Sequence, residues 1–342
     1  MNFAIIGCGF IAKKHAHSIR EIEGAKLVAV CDKIPENMMF YVKEYGARAY
    51  EEMNEMFQKE NIDIVCICTP TGSHAPIAIQ SAHAKKHIIL EKPIAMTLEE
   101  ADQIIEACHM NQVKLSIVHP NRYRPAVQEL RKIMDHHLLG KISHANAMVN
   151  WNRNQEYYDQ AAWRGTKEFD GGALLNQAIH NVDLLLWFMG EAEEVYSMQA
   201  TRIRKIEAED VSNGLVRFKS GALGLVQAST TVYPKNFEES ITIFGEKGTV
   251  KIGGPNAVYL EHIRIDGMPE EEAHALKVKI EADPWGVPGH QRIIEEMIEA
   301  VKQDATPAVS GEEGRKALEL ALAFYRSAEK NQPIAIRTGD SI

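Results

Sequence analysis

The sequence predicts a two-domain α/β protein: a doubly wound parallel sheet first, then an α+β domain built on a large, mostly antiparallel sheet. Three observations predict it. Up to about residue 120, short apolar runs alternate with helix-period segments, the pattern of strands joined by crossover helices. Gly7-Cys8-Gly9-Phe10-Ile11-Ala12 stands between the first apolar run and the first helical segment. Beyond Asn121 several alternating strand candidates follow one another with few helices between them, which suggests an antiparallel sheet. The boundaries read from these changes are 1–120 and 121–342, each long enough for its own core.

Composition narrows the function. Apolar residues make up 45% and charged residues 25%, ordinary for a globular protein. A formal net charge of −9 argues against a nucleic-acid surface. No segment approaches the apolar length of a membrane span. Asn2–Ile6 reads as a strand and not as a leader peptide, since no basic region precedes it. Cys8, Cys31, Cys66, Cys68 and Cys108 lie mostly in apolar strand-like runs, so they read as reduced packing residues of a cytoplasmic protein. No metal site is expected.

Asn2–Ile6 is the first strand, and 10–22 the first helix. The six residues opening at Gly7 have the G-x-G-x-x-A form of a dinucleotide fingerprint. Gly7 permits the tight turn, Gly9 lets backbone approach a pyrophosphate, and Ala12 keeps helix close to strand. The helix N-terminus offers free N–H groups to phosphate. The next strand, 26–31, ends at Asp32, twenty-five residues after Gly7, near the spacing expected for an acid that binds a ribose 2′-hydroxyl. An acid there repels a 2′-phosphate, so NAD is expected over NADP. Lys33 weakens that preference.

Residues 35–45 read as a helix, 48–50 as a short strand, 51–60 as a helix and 62–68 as a strongly apolar strand. Thr69-Pro70-Thr71-Gly72-Ser73-His74 is a turn at the edge where cofactors bind, with Ser73 as the expected N-cap of the next helix. Ile88-Ile89-Leu90 is a buried strand ending in Glu91-Lys92-Pro93. Ligands of open α/β sheets gather beyond the carboxyl ends of the strands, so Lys92 can serve cofactor and substrate together. Thr97 and Glu100 form a capping box, and 113–118 is the last strand of the half.

In the second half, 124–137 reads as a helix, 142–150 as a strand and 172–189 as one helix. Strands are expected at 192–201, 211–218, 222–231, 240–244 and 249–252, and helices at 289–302 and 312–330. On a helix Asn176, His180 and Asp183 share one face, opposite Leu175, Ile179, Val182 and Leu186. A His titrates near neutrality and suits proton transfer. The plainer reading is a solvated polar face.

Taken together, Gly7 to Ala12, Thr69-Pro70 with His74, Glu91-Lys92-Pro93, and Gly171-Gly172 leading to His180-x-x-Asp183 resemble the glucose–fructose oxidoreductase / inositol 2-dehydrogenase family, Gfo/Idh/MocA. The resemblance covers nearly the whole chain. It implies an NAD-binding Rossmann domain, then a substrate and oligomerisation domain that forms homodimers or homotetramers through its sheet. It implies Lys92 and His180 as catalytic residues and a cis peptide before Pro93. Phe10, Ile11, Glu91 and Trp163 join the expected cofactor contacts. In inositol dehydrogenases an Asp stands where this sequence has Asn176. Asn cannot act as a base, so proton relay falls on His180 and Lys92.

The segments 119–128, Trp163-Arg164-Gly165-Thr166, Asn176-Gln177 and Gly289-His290 are similar to those of dehydrogenases acting on the 3-hydroxyl of UDP-N-acetylglucosamine or its uronate. Asn121, Arg122, Arg164, Asn176 and Asp183 are then the expected substrate contacts, with Arg122, Arg124 and Arg164 able to pair with phosphate or carboxylate. Inositol or free-sugar oxidation, a redox-neutral glycosidase using bound NAD, and a non-enzymatic NAD or sugar sensor remain open.

Overall fold

The computed structural model describes residues 1–336; residues 337–342, the end of the expected second domain, lie outside the described residues. The chain divides into two compact units, Met1–Pro120 with Val287–Arg315, and Asn121–Gly286 with the chain from Lys316 onward.

The first unit opens with β1 (Asn2–Ile6), α1 (Phe10–Glu21), β2 (Lys26–Cys31), α2 (Pro35–Tyr45), β3 (Arg48–Tyr50) and α3 (Met53–Lys59). It continues with β4 (Ile64–Ile67), α4 (His74–His83), β5 (His87–Leu90), α5 (Leu98–Asn111) and β6 (Leu115–Ile117). The six strands lie in the order β3-β2-β1-β4-β5-β6, and every pair is parallel. This is the Rossmann order, with a switch point between β1 and β4. The unbroken apolar runs follow from position: Ile64 to Ile67 are wholly inaccessible, as in strands covered on both faces.

The capping box is present, with Glu100 N–H donating to Thr97 Oγ1 and Thr97 N–H to Glu100 Oε2, both at 3.2 Å. Ser73 is a correction. Its hydroxyl donates to Pro70 O at 2.7 Å, because a 3₁₀ turn, Thr71–Ser73, runs straight into α4 and leaves that side chain no capping role.

The second unit holds α6 (Pro125–Asp135), β7 (Ile142–Asn150), α7 (Gln155–Asp159), α8 (Ile179–Met189), β8 (Ala192–Ala200), β9 (Val211–Phe218) and β10 (Leu223–Ser229). Then come β11 (Glu238–Gly245), β12 (Gly248–Gly253), β13 (Tyr259–Ile265) and α9 (Glu270–Ala282). Next are α10 (Gly289–Lys302), which belongs to the first unit, α11 (Gly311–Lys330), inside which the division falls, and β14 (Ile334–Ala335). Eight strands form one sheet, β13-β12-β11-β7-β10-β9-β8-β14, parallel only between β7 and β10. The sequence reading missed α7, β13, α9 and β14. The exposed α9 carries only two buried residues, Ala273 and Ile280, so little apolar periodicity marks it.

The expected boundary placed everything after 120 in the second domain; residues 287–315 instead return to the first. Ile117 N–H donates to Val309 O at 2.9 Å, Ser116 and Ser310 form a bridge, and Arg315 bonds Asp102. These contacts satisfy the outer edge of β6, which would otherwise present unpaired backbone.

One face of the second sheet carries Val195, Ser197, Gly214, Val216, Val226, Ala147 and Ile241, all buried. Gly214 lets α11 lie close: a β-carbon there would sit 2.1 Å from the ring of buried Phe324. Gly214→Ala is therefore expected to destabilise the fold by about 1–3 kcal/mol through overpacking. An unchanged urea midpoint in the variant would contradict this packing.

Candidate active site

In the first unit the fingerprint residues form a cradle at the carboxyl end of β1. Gly7 has φ +86° and donates to Cys31 O at 2.8 Å; a β-carbon there would lie 2.7 Å from Thr69 Cγ2. Gly9, the N-cap of α1, has nothing within 4 Å of its missing β-carbon. Ala12 is fully buried, Phe10 is 79% exposed and Ile11 half-buried. Asp32 closes the cradle: one carboxylate oxygen accepts Cys8 N–H at 2.7 Å, and the other accepts Ile34 N–H at 2.9 Å.

The neighbouring strand ends are tied by His74. This buried ring lies 2.9 Å from Pro93 O through Nδ1 and 3.0 Å from Thr69 O through Nε2. Burial lowers its pKa, so the neutral ring donates to one carbonyl at a time. His74 therefore braces the two loops. Thr69 and Pro70 are half-buried.

Glu91 is also buried. Its Oε1 lies 2.9 Å from His15 Nε2 on α1 and 3.5 Å from His290 Nε2 on α10. Burial alone would raise its pKa, but the two imidazoles outweigh burial and hold it well below the usual carboxylate range. Burial opposes charge on His15 too; Cys68, Cys66 and Glu91 outweigh it and hold His15 well above its ordinary value. His290 is lowered, by burial first and by the His15 charge as well as that of Lys14. The buried pair is thus Glu91 carboxylate with His15 imidazolium, beside a neutral His290. Their donor atoms lie within 4.8 Å of one another, and the ion pair accounts for that cluster. Lys92 follows directly, half-buried, at a cis peptide to Pro93.

In the second unit the stretch before His180 is not one helix. Ala173–Gln177 is a π turn, closed by Ala178 N–H to Ala173 O at 3.0 Å, and α8 begins after it. Gly171, at φ +73°, and Gly172 permit the approach; a β-carbon on Gly172 would lie 2.1 Å from Glu209 Oε2. The turn breaks the expected alignment. Asn176 donates to Asp170 Oδ1, and Asp170 Oδ2 accepts Gly165 N–H at 2.7 Å. Asp183 is 2% exposed and faces Arg122, which donates from Nε at 2.8 Å and Nη2 at 2.6 Å. His180 is half-buried. A π turn beside a functional side chain is a common arrangement.

Three of the expected substrate contacts, Arg122, Asp183 and Asn121, meet partners within the protein. Arg122 pairs with Asp183 in a buried ion pair and lies over Trp187. Asn121 donates to buried Glu239 at 2.8 Å, and Arg124 pairs with the same carboxylate at 3.1 Å. Arg164 is different: its guanidinium stacks on Tyr157 at 4.2 Å and on Trp163 at 4.8 Å.

Comparison with known proteins follows the same division. Residues 1–119 match the family described as "oxidoreductase family, NAD-binding Rossmann fold", and residues 127–251 match the GFO/IDH/MocA C-terminal domain. The chain belongs to the Gfo/Idh/MocA family. Among solved structures it is similar to the WlbA dehydrogenase from Bordetella pertussis in complex with NADH and UDP-GlcNAcA. That likeness has a TM-score of 0.94 and 36% identity over 99% of this chain and 98% of that one. The WlbA enzyme from Chromobacterium violaceum, also with NADH and UDP-GlcNAcA, gives 0.92 and 38% over 99% and 96%. Among curated proteins, the myo-inositol 2-dehydrogenase of Thermotoga maritima is 28% identical over 98% of both chains.

As a Gfo/Idh/MocA member the protein is an NAD-dependent dehydrogenase. The cradle fits the cofactor: open space at Gly9, the Asp32 acid, and a buried Thr69 Oγ1 with no hydrogen-bond partner among the described residues. All five cysteines are buried and free. Burial pushes Cys31 and Cys68 up to about 11 and Cys108 to about 12, so they are packing thiols.

Sequence reasoning missed Glu209. It is buried, and its Oε1 accepts Leu174 N–H at 2.8 Å and Tyr325 O–H at 2.9 Å. No motif marks it, since it follows the π turn by over thirty residues. Burial pushes its pKa up to about 7. A folded-state value raised above the ordinary 4.5 gives stability that is full below pH 4.5 and lost as pH rises through 7, by about 3 kcal/mol. Glu209→Gln keeps the acceptor and removes the titration. From pH 5 to 8 the wild-type denaturation midpoint is expected to fall relative to the variant's. Parallel curves would refute the assignment.

Proposed function

We propose that the protein oxidises a secondary hydroxyl of a sugar ring to a ketone, and that its substrate is a UDP-N-acetylated sugar attacked at the 3-hydroxyl. The observation that carries the substrate class is the whole-chain likeness, at 36–38% identity, to two dehydrogenases holding UDP-GlcNAcA. Bound NAD supplies the hydride acceptor. His180, or His180 with Lys92, takes the hydroxyl proton, and the Lys92 ammonium stabilises developing alkoxide charge. The Glu91 pair fixes the backbone from which Lys92 projects. Asn176, bonded to Asp170, orients and does not act as a base. Inositol or free-sugar oxidation is the second reading, supported by the 28% identity to an inositol dehydrogenase along the whole chain.

The proposed assembly is a homodimer or homotetramer joined through the second sheet. Its other face leaves Leu215 58%, Leu223 51% and Met198 68% exposed. With Tyr196 and Leu225 beside them across β8, β9 and β10, these form an apolar surface suited to self-association. Leu215→Arg is expected to give a monomer in sedimentation. Sedimentation as a monomer by the wild-type chain itself would remove this part of the proposal. The proposed setting is the cytoplasm, where buried thiols stay reduced.

Activity is read as absorbance of reduced nicotinamide with NAD and a panel of UDP-sugars, free sugars and inositols. NADH from UDP-N-acetylated sugars, lowered at least ~100-fold in Lys92→Ala, is the expected result. NADH from inositol alone moves the assignment to the second reading. Sugar released without net NADH would indicate a redox-neutral glycosidase, and ligand binding with no turnover a sensor.

A further inference from the structure

The second unit contains a ladder of rings and guanidiniums. Arg153 lies over Trp151 at 4.8 Å and over Tyr157 at 5.4 Å. Arg164 lies over the same Tyr157 at 4.2 Å and over Trp163 at 4.8 Å. Two cations are therefore held within 5.5 Å of one ring, in a partly buried setting. Like charges so placed repel, and burial raises the cost.

Among the described residues no carboxylate is hydrogen-bonded to either ladder guanidinium, and the buried Glu239, already paired with Arg124, meets the Arg153 charge only from outside the ladder. Arg153 Nη1 donates to Asn152 O at 2.7 Å and to Asn236 Oδ1 at 3.3 Å, both uncharged. Arg164 Nε is buried and has no hydrogen-bond partner among the described residues. Burial, and the nearby Arg164 charge, lower the pKa of Arg153. The contrast is with Arg122 and Arg124, whose charges are answered by Asp183 and Glu239. The aromatic faces stabilise the two cations and leave guanidinium N–H groups to spare.

The ladder is tied to the segment that carries His180. The Tyr157 hydroxyl oxygen accepts from Gln177 Nε2 at 3.4 Å, in the π turn three residues before His180. The loop bearing Trp163 and Arg164 is anchored through Gly165 to Asp170, which also holds Asn176.

We propose that Arg153 and Arg164 together bind an anionic group of the substrate, a diphosphate or a carboxylate, and set the enzyme's preference for charged sugars. Guanidinium pairs with either oxyanion through two parallel hydrogen bonds. Stacking on the rings already restrains both guanidiniums, so less side-chain freedom is lost on binding. This deepens the reading of the site as a nucleotide-sugar dehydrogenase.

The test uses the full chain and the variants Arg153→Gln, Arg164→Gln and Arg164→Lys, each checked for an unchanged melting profile. KM and kcat are measured with UDP-N-acetylglucosamine and with its 6-carboxylate. Roughly 10-fold or greater rises in KM with smaller changes in kcat are expected for each Gln variant, with only partial rescue by Lys. A rise with both substrates assigns the pair to the diphosphate; a rise with the uronate alone assigns it to the carboxylate. KM values unchanged in every variant overturn the proposal. A second measurement separates it from the reaction: calorimetric binding of UDP and of glucuronate. If no UDP-sugar is oxidised, the proposed function fails. The anion site still stands if wild type binds either probe and the Gln variants lose that binding, and falls if neither probe binds or the variants bind equally.

Discussion

The buried ion pair between Glu91 and His15 is the constraint on which the first unit depends. A carboxylate leaving β5 meets an imidazolium from α1 and the ring of His290 from α10, so strand end, fingerprint helix and returning segment are fixed by one charge. Buried charges of this kind are tolerated only when paired and well bonded. The adjacent backbone, bearing Lys92, is consequently held with little freedom, and His74 braces the loop from its other side. A reactive lysine on a rigid strand end needs such support, because chemistry is sensitive to small displacements.

The second unit solves the same problem with a different device. A short π turn, made possible by Gly171 and Gly172, re-aims the chain before α8. Three of its donors, the Leu174 N–H and the Asn176 and Gln177 side-chain amides, are met by Glu209, Asp170 and the hydroxyl oxygen of Tyr157. The arginines around it divide into two groups. Those bonded to buried carboxylates stabilise the fold, and Arg153 and Arg164, stacked on rings with no carboxylate hydrogen-bonded to them among the described residues, keep N–H groups to spare.

The Rossmann half was legible because its signals are local. Gly7, Gly9 and Asp32 have fixed spacings, and the apolar runs of β4 and β5 need no long-range information. Lys92 stood out by its place at the carboxyl end of a buried strand, whereas the cis peptide after it followed from the family resemblance. What was not legible depends on distant partners. The α8 pattern reads as helix from Gly172, since a π turn costs one residue of register and has no composition of its own. Arg122 and Asp183, sixty-one residues apart, both resemble site residues in sequence, and only folding shows that they neutralise one another. Glu209 carries no motif at all. The return of 287–315 was hidden because an amphipathic helix records that it has a core face, not which core it joins.

That return has a consequence for how the chain can be made and divided. The first 120 residues contain every strand of the parallel sheet, yet they are not a complete domain. A fragment ending there would lack His290 beside Glu91, the backbone partner of Ile117, and the arginine that Asp102 meets. During synthesis the nucleotide-binding half must wait, with one strand edge open, until most of the other half has left the ribosome. The two units are therefore separate as cores and inseparable as products: the gene offers no single cut that yields either one whole.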